Sequence, residues 1–153
     1  MEYALTESVL SGLNMSESIN LQLPVELAVL EQENVEQTVS HYFASLNQAD
    51  FATTAGLFAP TGVLYPPFES AIVGREAILS YLQTEAKGLQ LAPVEQAIEL
   101  VDDQIQVKVT GTVQTPLLKV NVAWKFILNA EGEILSVKIK LLAALEELLH
   151  LKM

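Results

Sequence analysis

The feature that most constrains this chain is a change of hydrophobic period after Lys87, where helical spacing gives way to alternation. Before it, Val35, Val39, Tyr42, Phe43 and Leu46 recur at i, i+4, i+7, i+8 and i+11, which predicts a helix from Val25 or Glu31 through Asn47. Asp50 is placed to cap a second, short helix carrying Phe51, Leu57 and Phe58, with Pro60 and Gly62 ending it. GVLYPPF then reads as a short strand stopped by Pro66 and Pro67, and Arg75 to Lys87 as a third helix with Ile78, Leu79 and Leu82 on its apolar side.

Beyond the switch, Gln90 to Leu100, Gln104 to Gln114, Val120 to Asn129 and Glu133 to Leu141 read as strands. They are separated by Asp102-Asp103, Thr115-Pro116 and Ala130-Glu131-Gly132, and a last short helix is expected near Ala143 to Leu149. Helices followed by hairpin-connected strands define an α+β plan, a curved antiparallel sheet wrapped on a helical layer. Residues 1–30 mix Ser, Asn, Leu and Pro24 without a sustained period and read as an N-terminal extension. Residues 31–153 then form the domain. The apolar residues of the extension, Leu5 to Val25, are expected to cover the outer sheet face or a subunit contact.

Composition removes several classes of chemistry. The 153 residues contain no cysteine and two histidines, His41 and His150, so disulfides, thiolate catalysis and a His-based metal site are excluded. The net charge is -11, and no Lys or Arg precedes Arg75. Such a surface repels phosphate backbones, which argues against nucleic acid as a partner. Apolar stretches are broken well before about 18 residues and the N-terminus lacks a basic start. A cytoplasmic protein is therefore expected.

Against that background two side chains stand out: Tyr42, on the apolar face of the first long helix, and Trp124, the single tryptophan, in the strand NVAWKFIL. Each buries a ring while offering one O–H or N–H donor, a pattern that suits an apolar binding pocket better than a reaction centre. Tyr65, Phe68 and Tyr81 are further candidates to line it. Asp102-Asp103 fits turn chemistry rather than a metal or acid/base pair. His41 lies about 100° round the helix from Tyr42, towards solvent or the rim. Glu76, beside Arg75, suits the dipole of a helix N-terminus.

The order of elements, and HYFASLNQADFATTAGLFAPTG in particular, resembles the nuclear transport factor 2-like superfamily, whose cone-shaped pocket lies between helices and a bent sheet. Within it, GVLYPPFESAIVG, VQTPLLKVNVAWKF and IKLLAALEELL resemble the stand-alone homologues of the orange carotenoid protein's C-terminal domain, over about residues 33 to 151.

The resemblance implies a water-soluble protein that holds and transfers a ketocarotenoid, of canthaxanthin or echinenone type, in photoprotection or quenching of reactive oxygen. It implies that Tyr42 and Trp124 donate hydrogen bonds to the keto oxygen, with Val122 and Phe126 joining the candidates to line the pocket. It implies no catalytic or metal-binding residue. The partners implied are a carotenoid-accepting apoprotein and a membrane touched during pigment uptake. A homodimer is also expected, because a domain with a radius of gyration near ~14 Å buries only part of a molecule long enough to cross a ~30 Å hydrocarbon core. The family loop often has Trp and Cys where this sequence has Leu117 and Leu118, so subunits cannot be linked covalently. The superfamily also holds ketosteroid isomerase-like and polyketide cyclase-like enzymes and ligand-free dimerisation modules. The isomerase base and its acidic oxyanion partner, however, align near Pro66 and Val122, which transfer no proton.

Overall fold

The computed structural model describes residues 32–142. The short helix foreseen near 143–149 and the extension 1–30 lie outside the described residues. The chain divides into two compact units, Met1–Asn34 and Val35–Met153, and the fold below belongs to the second.

Helix α1 is described over 32–47 and carries Val35, Val39, Tyr42, Phe43 and Leu46, all buried, as their spacing requires. Asp50 caps helix α2 (Phe51–Gly56), its carboxylate accepting the Thr53 N–H at 3.3 Å and the Thr53 hydroxyl at 2.7 Å. That helix ends at Gly56, earlier than Pro60 and Gly62 suggest, because both belong to strand β1 (Phe58–Tyr65). They sit where the register with the neighbouring strand shifts between Phe58 and Val63, so the missing proline N–H costs no ladder bond. Strand β2 (Ile72–Val73) and helix α3 (Arg75–Glu85) follow. Strands β3 (Gln90–Val101), β4 (Gln104–Gln114), β5 (Lys119–Leu128) and β6 (Ile134–Leu141) match the alternating segments within one or two residues at each end.

The six strands form one sheet in the order β2-β1-β6-β5-β4-β3. The β3 to β6 meander is antiparallel throughout, joined at turns where the sequence places them. Asp102 takes φ 55°, and the Asn129 side chain accepts the N–H of Glu131 and Glu133. The sheet as a whole is mixed rather than antiparallel, since β1 pairs with β6 in parallel. These strands lie about seventy residues apart in sequence, too far for any hairpin signal to set their direction.

Curvature has local causes. The β3 register slips between Pro93 and Glu95, opposite Gly111 on β4. A Cβ on Gly111 would run into the Ala92 carbonyl and the Pro93 backbone, so only glycine allows the two strands to close up at the bend. One face of the bent sheet receives α1 edge-on. The Tyr42 ring meets Phe126 at 4.9 Å between centroids and Phe43 meets Trp124 at 4.9 Å, both near perpendicular. Asn47 fastens the C-terminal end of α1 to β3, donating to the Leu91 carbonyl at 2.9 Å and accepting the Leu91 N–H at 2.7 Å.

Candidate functional site: an apolar cavity with two donors

Where the sheet bends away from the helices it leaves a cavity of about 310 Å3. Leu46 of α1, Leu64 of β1, Leu82 of α3, Leu91 of β3, Val122 of β5 and Ile139 of β6 form much of its wall. Each points inward for a periodic reason. Leu46 and Leu82 lie on the buried faces of their helices, and Val122 and Ile139 alternate with outward residues on their strands. Tyr42 and Trp124, 82 residues apart in sequence, line this same cavity, and each is only 2% exposed.

Among the described residues, neither the Tyr42 hydroxyl nor the Trp124 indole N–H has a hydrogen-bond partner. A donor buried without a partner costs about 1 to 3 kcal/mol. The contrast with Ser45 and Thr54, the buried polar side chains of the same layer, is sharp: their hydroxyls satisfy one another at 2.6 Å. Burial holds the Tyr42 hydroxyl far above its usual ionisation range, and the neighbouring Tyr81 raises it further. It is therefore a permanent neutral donor, not an acid/base group.

Tyr81 and Glu85 of α3 also line the cavity and sit where it meets solvent. The Tyr81 hydroxyl donates to Glu69 at 3.3 Å. Its pKa is pushed up to about 12 by partial burial, by the charge of Glu69 and the hydrogen bond to it, and by the charge of Glu85. Glu85 was not apparent as a site residue, although its i+3 spacing from Leu82 and i+7 from Ile78 puts it on the inward side of α3. Ile139 and Leu141 were equally unremarked, although alternation from buried Val137 turns both towards the core.

Of the other residues singled out, Tyr81 and Val122 line the cavity, whereas Tyr65, Phe68 and Phe126 do not. Phe126 is fully buried, its ring packed against Tyr42 and Phe43. Tyr65 follows the inward Leu64 and so alternates outward, 41% exposed. Phe68 takes φ 64° after Pro66-Pro67, which turns its ring out to 90% exposure. His41 is exposed. The Arg75 side chain donates to the Phe58 carbonyl at 2.8 Å, away from the cavity. Pro66 lines the cavity, and no acidic residue other than Glu85 does so among the described residues. Nor do the described residues hold a group of three His, Cys, Asp or Glu able to bind a metal, or a helix long and apolar enough to cross a membrane.

The family described as nuclear transport factor 2 (NTF2) domain matches residues 34–140. The chain is 44% identical over 118 residues to the orange carotenoid-binding protein of Synechocystis sp., covering 74% of this chain and 37% of that protein. The matching part is that protein's C-terminal region. The solved orange carotenoid protein of Anabaena (Nostoc) sp., described as binding canthaxanthin, is 45% identical with a TM-score of 0.68, over 74% of this chain and 38% of that one. This chain thus spans well under half the length of these relatives. A putative isomerase from Bacillus subtilis, 15% identical with a TM-score of 0.60 over 73% of this chain and 88% of its own, shares the fold alone.

Proposed function

This chain belongs to the nuclear transport factor 2 domain family, as a homologue of the C-terminal region of orange carotenoid proteins, and from that premise we propose that it binds a ketocarotenoid by one end ring. The observation that carries the reading is the pair of unpartnered donors, Tyr42 and Trp124, on the wall of one apolar cavity. A keto oxygen entering that space loses its water partners, and two fixed donors restore what it loses. The same bond relieves both orphaned donors. Canthaxanthin- or echinenone-like pigments have the required carbonyl.

A cavity of about 310 Å3 houses an end ring and the start of a polyene, not the whole pigment. The rest is covered by a second copy meeting the first mouth to mouth. This homodimer uses the exposed apolar residues next to the mouth, Phe68 after Pro67 and Leu117 near Thr115. In this reading the protein is a water-soluble, cytoplasmic carrier that takes pigment at a membrane, hands it to an apoprotein acceptor and contributes to photoprotection. It is not an enzyme, because a ketone held by two neutral donors does not react without a base. The isomerase base aligns, by resemblance, near Pro66, whose side chain takes up no proton.

Purification from a host that makes ketocarotenoids tests the proposal. Coloured protein with a red-shifted visible band is expected, together with a band weakened or shifted to the blue in Tyr42→Phe and Trp124→Phe. A colourless, folded protein refutes it. Light scattering of coloured protein should give the mass of two chains.

A further inference from the structure

The cavity is apolar along its walls but not at its mouth. Glu85 is its one charged lining residue among those described, and Glu69 lies close enough to accept the Tyr81 hydroxyl at 3.3 Å. Both carboxylates raise the pKa of Tyr81, so their field reaches the cavity lining. No Lys, Arg or His lines this cavity among the described residues, and Glu85 forms no ion pair among them.

We propose that Glu85 makes this cavity selective for uncharged apolar ligands, excluding long-chain carboxylates such as fatty acids and carboxylated polyenes. The inference rests on the ligand reading above and adds a selection rule to it. A carboxylated apolar molecule has two ways to enter. With its head inward, the carboxylate is stripped of water beside two neutral donors and apolar walls, which do not replace a hydration shell or a counter-charge. With its head outward, the carboxylate comes to rest at the mouth against Glu85, with Glu69 nearby. Two unit charges about 6 Å apart at a half-wet mouth weaken binding by roughly tenfold. A neutral ligand of the same skeleton meets neither obstacle, and its oxygen still finds Tyr42 and Trp124. Fatty acids, which are abundant amphiphiles of suitable width, are thereby kept from competing with neutral cargo.

Trp124 is the single tryptophan of the chain and lines the cavity, so quenching of its fluorescence reports occupancy directly. The test titrates the full chain with retinol and with retinoic acid, which share one carbon skeleton and differ in charge, at low salt and at 1 M salt. Retinol is expected to bind at least about tenfold more tightly at low salt, with the gap narrowing at 1 M as the Debye length falls to about 3 Å. Glu85→Gln should narrow the gap between retinoic acid and retinol several-fold, and Glu85→Lys should narrow it further. Glu85 is exposed, and circular dichroism verifies that both variants keep the fold. Retinoic acid binding within twofold of retinol, or an unaltered gap in Glu85→Gln, overturns the role of Glu85 while leaving the ligand reading intact. Failure of both retinoids to bind, with no carotenoid bound either, overturns the two together.

Discussion

Tyr42→Phe should move the stability of the empty protein and the affinity for ligand in opposite directions. The ring is 2% exposed and packs edge-on against Phe43 and Phe126, contacts that phenylalanine keeps. Only the hydroxyl is lost, and among the described residues it has no hydrogen-bond partner. Had it been bonded within the core, its removal would cost about 1 kcal/mol or more through the orphaned partner. Here nothing is orphaned and a desolvated polar atom disappears. The ligand-free variant should therefore be as stable as the parent or up to about 1 kcal/mol more stable, a rise in Tm of no more than about 5 °C for a chain of this size. In the proposed pigment complex the same change would delete one of the two bonds to the keto oxygen. A loss of about 1 to 1.5 kcal/mol follows, or a Kd roughly five- to twelvefold weaker. Urea unfolding without ligand and a pigment titration of the same preparations measure both quantities. A ligand-free Tyr42→Phe protein destabilised by more than about 1 kcal/mol refutes the reasoning, because it would show that the hydroxyl is already spent inside the fold.

Two further outcomes follow from the charges. Tyr42 and Tyr81 ionise at higher pH in the folded chain than in the unfolded one, so stability does not vary with their titration below about pH 10 and falls as pH rises from 10 through their folded values. Unfolding free energies from urea titrations between pH 9 and 11.5 should fall, by up to about 1.4 kcal/mol per pH unit for Tyr42, and a profile that is flat in the parent would contradict the burial of its hydroxyl. On the outer sheet face, the register sets Lys125 directly between Lys108 and Lys138, and none of the three has an ion-pair partner among the described residues. Lys125→Gln should stabilise the protein by a few tenths of a kcal/mol at low salt, with the gain fading at 1 M salt; thermal unfolding at the two salt levels checks it, and a loss of stability would mean that this lysine has an attractive partner.

How much of this was legible in the chain can be judged element by element. The face of α1 was readable because a helix repeats every 3.6 residues, so Val35 to Leu46 could be assigned to one stripe from spacing alone. The β3 to β6 meander was readable for a similar reason, since alternation and turn residues act over a few positions. The prominence of Tyr42 and Trp124 was visible in their side-chain chemistry. Pro60 and Gly62 misled because the same residues that end a helix also mark a strand irregularity. Only the pairing partner, Ile134 to Lys138 of β6, distinguishes the two.

Local patterning, then, determined the elements, the buried stripe of α1 and the two donors worth following. Tertiary structure alone decided that β1 joins β6 in parallel, that Phe126 fills the core while Tyr65 and Phe68 turn outward, and that Tyr42 and Trp124 share one cavity with Glu85 at its mouth. The physical reason is range. Period and turn chemistry act across a few residues, whereas a cavity is the space left between α1, α3 and a sheet bent at Gly111 and Pro93. Which side chains face that space depends on contacts between segments more than 80 residues apart.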